Sequence, residues 1–268
     1  MFDNQQFDII IQGGQSNAEG FGIGAVDSEY QPLENVFYLN AEKQAETIGD
    51  RIVIKYDNVP FEITIAKERC VQDEKYGDFA LTFSKEYIEK GLLQDGRKLL
   101  IIRAAVGGTG FEREHWGIGK QLYEKLLEMT DFALSLNPKN KIVAFLWHQG
   151  EHDAFDGNSE EKYYELLKEM ILDVRARYGN IPFIAGDFCY EWKNKNITIC
   201  EPVLKAIKRI VLEIGNAGFV ETDNLLSNNQ VTKNGDDIHF CRQALYELGK
   251  RYFKEFYKLN VGVERSFE

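Results

Sequence analysis

Asp8-Ile-Ile-Ile-Gln-Gly-Gly-Gln-Ser-Asn-Ala-Glu-Gly20 decides how the rest of this chain is read. Phe7–Ile11 is an apolar run without alternation, the pattern of a strand buried on both faces, and it leads straight into two glycines and one hydroxyl, Ser16. Gly13 and Gly14 admit backbone angles closed to other residues, so the chain can turn tightly and present Ser16 above a sheet edge. Alone, the stretch has two readings: Ser16 caps the following helix, or Ser16 is a nucleophile. A nucleophilic serine needs a base, and a candidate stands near the other end of the chain, in Asn234-Gly-Asp-Asp-Ile-His-Phe240. Histidine is the side chain suited to that role at neutral pH, and Asp236, three residues before His239, is spaced to hold its tautomer within one tight loop.

Outward from that first strand, further apolar runs at Leu99–Ala105, Ile142–Trp147, Pro182–Ala185 and Gly218–Val220 read as short buried strands. Helices fit between them. Residues 119–136 put Leu122, Leu126, Met129, Ala133 and Leu136 on one stripe and stop at Asn137-Pro138. Residues 159–178 carry Tyr163, Leu167, Met170, Ile171 and Val174 inward, with Asn158 as cap, Glu161 three residues on, and Gly179 as the stop. Two more helices fit 201–214 and 241–258. Such alternation predicts a three-layer α/β/α sandwich with a mainly parallel, about five-stranded sheet, in which ligands bind beyond the carboxyl ends of the strands. Residues 48–66 break the rhythm: Ile52–Ile54 and then Phe61, Ile63 and Ile65 flank Asp57-Asn58, which predicts a β-hairpin excursion with no chemistry assigned to it.

The 268 residues are read as one domain, 1–268, because no linker, repeat or low-complexity stretch divides them. With 32 basic against 43 acidic residues the net charge is −11, which opposes nucleic acid or an anionic membrane as partner and leaves a neutral ligand easier to accommodate. The N-terminal Met-Phe-Asp-Asn-Gln-Gln has no basic and apolar leader pattern, and no run of ~18 apolar residues occurs. Cys70, Cys189, Cys200 and Cys241 are scattered, the pattern of reduced core thiols, so a cytoplasmic location is expected.

Two further glycine-bearing strand ends join Ser16 and His239. In Ala104-Ala-Val-Gly-Gly-Thr-Gly-Phe111, Gly107 or Gly108 can offer a backbone N–H to an anion; in Trp147-His-Gln-Gly-Glu-His-Asp153, Gln149 can aim an amide at the same point. With the N–H of Ser16 these make a candidate oxyanion hole, usually the largest electrostatic contribution in acyl transfer.

These four blocks resemble the carbohydrate acetylesterase branch of the SGNH hydrolases, which contains sialate O-acetylesterase-like and acetylxylan esterase-like proteins. Gly14-Gln-Ser-Asn17 is similar to the nucleophile block, Gly107-Gly-Thr109 to the glycine block, Trp147-x-Gln-Gly-Glu-x-Asp153 to the third, and Asp236-x-x-His239-Phe to the last. The resemblance implies an SGNH, flavodoxin-like fold, with Ser16 as nucleophile, His239 as general base, Asp236 as its orienter, and Ser16, Gly108 and Gln149 as oxyanion donors. Gln149 departs from the Asn of the wider superfamily but agrees with this branch. The implied reaction is deacetylation of an acetylated mono- or oligosaccharide through an acetyl-Ser16 intermediate, with no metal or organic cofactor. Arg113 and Trp116 follow the glycine block and are candidate sugar contacts, by hydrogen bonding and stacking, against a solvated Arg and a half-buried Trp closing the loop. Glu151 and Asp153 are expected to brace their loop.

Three rivals remain in view. His148-Gln-Gly-Glu-His152 spells the H-x-x-E-H of inverted zinc peptidases, which needs both histidines on one helical face; the β-like lead-in Val143–Trp147 and Gly150 oppose it. The Gly-x-Ser-x-Gly elbow of an α/β-hydrolase fails at Ala18. A non-catalytic carbohydrate-binding module on the same fold would have no use for a general base beside a hydroxyl.

Overall fold

The computed structural model describes residues 2, 4–26, 33–49, 51–57, 59–71 and 74–264, with the backbone alone described at 51, 69–71, 74–76 and 261–264. The chain opens with β1 (Gln6–Gly14), the one-turn helix α1 (Ser16–Glu19), β2 (Val36–Asn40), β3 (Lys43–Ile48), β4 (Arg51–Tyr56) and β5 (Glu62–Ile65). There follow β6 (Arg69–Val71), β7 (Glu74–Tyr76), α2 (Phe79–Glu89), β8 (Arg97–Arg103), α3 (Gln121–Ser135), β9 (Lys141–His148) and α4 (Glu151–Phe155). The remainder comprises α5 (Glu160–Tyr178), β10 (Phe183–Gly186), α6 (Tyr190–Lys195), α7 (Ile197–Ile214), β11 (Ala217–Val220), α8 (Asn228–Thr232) and α9 (Arg242–Glu264).

Seven strands form one sheet in the order β11-β10-β9-β1-β8-β2-β5, parallel except where β5 runs against β2. All five expected strands are present, and β2 and β5 extend the sheet beyond them. The order reverses around β1: the chain fills one side with β2 and β8, then crosses to β9, β10 and β11. A crevice at the carboxyl end of β1 follows from that reversal.

Alternate side chains of β9 show the layers. Trp147 packs against Phe111 and Trp116, with Tyr163 of α5 beyond Phe111; His148 points the other way, to Phe79 of α2 and Tyr252 of α9. Helices therefore cover both faces, which is why these strands read as continuous apolar runs. The thiols of Cys189, Cys200 and Cys241 are free and buried, and burial pushes the first two up to about 12. The side chain of Cys70 lies outside the described ones. Among the described residues, no helix is long and apolar enough to cross a membrane.

The excursion differs from expectation in its pairing. The hairpin is β3 against β4, from Lys43–Tyr56 to Ile48–Arg51, and it turns around Gly49 at φ +66°, not at Asp57-Asn58, of which Asn58 lies outside the described residues. The Phe61–Ile65 run belongs instead to the edge of the main sheet, where Ile63 and Ile65 pair with Leu39 and Phe37. Pro60, with no N–H to give to a ladder, separates the two units. The helix at 160 starts one residue later than expected: Ser159 caps it by accepting from the Lys162 N–H, and Asn158 turns its amide to Asp153.

Candidate active site

Strand β1 continues through both glycines, which pair with Trp147 and His148 of β9, and the turn falls at Gly14 and Gln15. Gly14 has φ +132°, and a Cβ there would lie 2.1 Å from the His148 carbonyl oxygen, so only glycine lets the two strand ends approach this closely. The Gln15 N–H then donates to that same carbonyl (3.0 Å), and Ser16 opens α1. Underneath, the Gln12 amide donates to the Ala18 carbonyl (2.6 Å) and to Asp78 (2.9 Å), tying α1 to the strand.

Ser16 and His239 line one cavity of about 460 Å³, together with Gly107 and Gly108. The His239 ring Nδ1 lies 2.9 Å from each carboxylate oxygen of Asp236, and the His239 backbone N–H also donates to Asp236 (3.2 Å). An Nδ1–H donated to a carboxylate leaves Nε2 as the acceptor nitrogen. Phe21 stacks on the imidazole at 5.1 Å and 18°. Burial works to raise the Asp236 carboxyl, but the hydrogen bonds and charge of His239 and the Asn228 amide outweigh it and hold the group below its ordinary value. Asp237 turns away, paired with Lys195 at 3.0 Å.

The glycine block separates its two candidates. The Gly107 N–H donates to the Glu19 carboxylate (2.7 Å), whereas no acceptor among the described residues takes up the N–H of Gly108. The third block is a brace. Asp153 accepts from the N–H groups of Phe111 (3.1 Å) and Glu112 (2.9 Å) and from the amides of Gln149 (2.6 Å) and Asn158 (2.7 Å). Glu151 accepts from the Asn17 amide (2.8 Å), and Asn17 reaches on to the Ile238 carbonyl and the Phe240 N–H, so one side chain joins three of the four blocks. Burial raises both carboxyls above their ordinary values, against the pull of these donors.

Residues 6–258 match the family model described as "Carbohydrate esterase, sialic acid-specific acetylesterase". The chain belongs to this family. Among curated proteins it is 28% identical over 126 residues to the "Probable 9-O-acetyl-N-acetylneuraminic acid deacetylase" of Escherichia coli (strain K12), a match spanning 38% of this chain and 39% of that protein. The crystal structure of NanS superposes with a TM-score of 0.73 at 19% identity, covering 95% of this chain and 97% of that one. A carbohydrate acetylesterase from Xanthomonas citri gives 0.65 at 18%, covering 95% and 57%. At such identities the superpositions speak for the fold, and they agree with the α/β sandwich expected of an SGNH hydrolase.

Within this family chain, three expected site residues do not reach the pocket. Gln149 is fully buried, its amide nitrogen donating to Asp153 (2.6 Å) and the Thr109 carbonyl (3.1 Å) with Gln15 Oε1 3.3 Å away, and its oxygen accepting from the Tyr163 hydroxyl (2.9 Å). Trp116 is 1% exposed, with its indole N–H on Thr109 and its ring against Trp147, so no face is left for a sugar. Arg113 makes a two-pronged contact with Asp156 (2.7 and 2.8 Å). The zinc-peptidase spelling also comes apart. His148 ends β9, buried and 3.0 Å from the Tyr252 hydroxyl, while His152 sits on α4 facing the pocket; Gly150, at φ +142°, separates strand from helix. Among the described residues no group of three or more His, Cys, Asp and Glu is placed to hold a metal.

Several working residues escaped the sequence reading. Lys43, Ala45 and Ile52 bring the β3–β4 hairpin onto the pocket wall. The hairpin is docked by His115, whose Nδ1 accepts from Gly110 (3.3 Å) while Nε2 donates to the Ile52 carbonyl (2.9 Å), and by the Gln121 amide on Ile54 (3.0 Å). Asn228 is fully buried and gives its amide to Asp236 (2.9 Å) and the Phe21 carbonyl (2.9 Å). One signal for it was readable: Ser227-Asn-Asn-Gln230 has the spacing of a capping box, which the structure forms.

Proposed function

We propose that this chain is a serine esterase that removes O-acetyl groups from sugars. The observation that carries the proposal is the pocket shared by Ser16 and His239, with an ionised Asp236 fixing the imidazole so that Nε2 is free to accept a proton. Ser16 Oγ attacks the acetyl carbon as its proton passes to His239 Nε2, and negative charge collects on the carbonyl oxygen, where the backbone N–H groups of Ser16 and Gly108 are the donors at hand. Collapse breaks the acyl–oxygen bond, and the imidazolium returns the proton to the departing sugar oxygen. Water then attacks acetyl-Ser16 with His239 again as base, releasing acetate and restoring the serine.

The family description and the name of the Escherichia coli relative make an O-acetylated sialic acid the first substrate to test, with acetylated xylo- and manno-oligosaccharides beside it. Turnover of p-nitrophenyl acetate, abolished by Ser16→Ala and retained in EDTA, supports the serine mechanism; activity that survives Ser16→Ala, or that EDTA removes, refutes it. Mass-spectrometric detection of the lost acetyl group across the sugar panel then identifies the substrate. A non-catalytic sugar-binding module would show binding in that panel without any acetate released.

A further inference from the structure

Resting on that esterase reading, we infer that Ile52, carried on β4 of the hairpin, is the residue that limits the acyl group of the substrate to acetyl. The two glycines of the second block divide the pocket. A Cβ on Gly107 would lie 3.3 Å from the Glu19 carboxylate, 3.4 Å from Ser16 Cβ and 3.6 Å from the Phe21 ring, which is the ring stacked on His239. A Cβ on Gly108 would instead overlap Ile52 Cδ1, with His152 Cε1 at 3.7 Å. The nucleophile and its base therefore stand on one side of the Gly107–Gly108 turn, and Ile52 and the His152 ring stand on the other.

The same groups set the direction of a bound ester. Its leaving oxygen must come within reach of His239 Nε2, and its carbonyl oxygen turns to the Ser16 and Gly108 N–H groups. The acyl substituent takes the remaining vertex of the tetrahedral carbon, away from the imidazole and toward Ile52. An oxygen bonded to the Gly108 N–H keeps the acyl carbon beside Gly108, and the methyl resting on that glycine is Ile52 Cδ1, so a chain longer than acetyl runs into Ile52. The wall is pinned through its backbone: the Ile52 carbonyl accepts from His115 (2.9 Å), the Ile54 carbonyl accepts from Gln121 (3.0 Å), and Ile52 pairs with Thr47 across the hairpin. Side-chain length at position 52 then sets the depth of the site, and the glycine at 108, at φ +72°, leaves the room that this side chain fills.

The test is kcat/KM on the p-nitrophenyl esters of acetic, propionic and butyric acid. Wild type should lose on the order of tenfold or more for each added methylene, and Ile52→Ala should raise the butyrate-to-acetate ratio by on the order of tenfold or more, through faster turnover of butyrate. Ile52→Val, shorter by one carbon, should raise the propionate-to-acetate ratio by a smaller factor. A residue that only holds the hairpin in place would lower all three esters alike, so unchanged ratios in Ile52→Ala overturn the inference. A wild type that takes butyrate as readily as acetate overturns it too, as does a ratio that rises only because acetate turnover has fallen. If Ile52→Ala fails to fold, the propionate-to-acetate ratio of Ile52→Val decides. Failure of the esterase reading is visible separately, as turnover that survives Ser16→Ala.

Discussion

Replacing Asp236 by Asn should cost far more activity than replacing its neighbour Asp237, and the structure supplies the size of the gap. Asp236 receives the His239 ring nitrogen at 2.9 Å on both carboxylate oxygens, and both side chains are only about a quarter exposed, at 25% and 22%. When Ser16 hands over its proton the ring becomes an imidazolium. At roughly 4 Å between charge centres and an effective dielectric of about 20, the carboxylate stabilises that cation by about 4 kcal/mol. At about 1.4 kcal/mol per decade this is on the order of 10³ in rate. Asn also presents an NH₂ to one of two donors, His239 Nδ1–H or the Asn228 amide, and so favours the wrong tautomer; in Ser-His-Asp triads that change totals about 10⁴. Asp237 instead meets Lys195, which is 53% exposed, and a surface pair of this kind is worth about 0–1 kcal/mol. The assay is kcat/KM on p-nitrophenyl acetate for Asp236→Asn and Asp237→Asn, with melting temperatures as control. Equal losses, or a larger loss for Asp237→Asn at unchanged melting temperature, would mean that the wrong carboxylate has been placed behind His239.

Gly14→Ala should destabilise the whole fold by about 3 kcal/mol or more, since a Cβ 2.1 Å from the His148 carbonyl meets backbone on the neighbouring strand; urea unfolding with a midpoint near wild type contradicts that geometry. Acid stability should depend on His148, whose imidazole burial holds down to about 3 while the unfolded chain protonates it near its ordinary 6.5. The folded chain therefore takes up the proton later than the unfolded one, so this stabilisation is complete above pH 6.5 and is lost as pH falls towards 3, at up to about 1.4 kcal/mol per pH unit. Burial raises Glu151, whose carboxylate lies 3.9 Å from the His148 ring, and Asp153, and works in the opposite direction, but both are kept in a His148→Asn variant: the variant should lose less melting temperature than wild type between pH 7 and 4.5, and equal losses would contradict the expectation that His148 is held neutral.

The centre of the fold was legible because burial on both faces writes itself into sequence. Phe7–Ile11, Leu99–Ala105 and Ile142–Trp147 are largely apolar runs, broken only by Asp8 and Arg103, and their strands are the three adjacent ones at the middle of the sheet. The edge was harder. β5 is exposed at both ends and half-buried only at Ile63 and Thr64, so it shows no alternation, and its register with β2 depends on the contact between Ile63 and Leu39, which lies outside any local pattern. The β3–β4 hairpin misled for a related reason. Its β3 strand is almost wholly exposed, so no periodicity announces it, while the turn composition of Asp57-Asn58 comes only after β4 has ended at Tyr56.

The site divided along a similar line. Ser16, Asp236 and His239 stood out as candidates because a nucleophile, its base and the base's orienter are restricted to a few residue types, and the fold does place Ser16 and His239 on one pocket wall with Asp236 against the imidazole. Polar residues that act through one another left weaker traces. A glutamine at position 149 can as well be an oxyanion donor as a brace for a second glutamine, and what decides is whether Asp153, four residues on, captures its amide. That capture depends in turn on the Phe111 and Glu112 N–H groups, forty residues away, holding the carboxylate in place. Spacing within a motif reports which side chains share a turn; which end of an amide faces the pocket is set by partners from other strand ends.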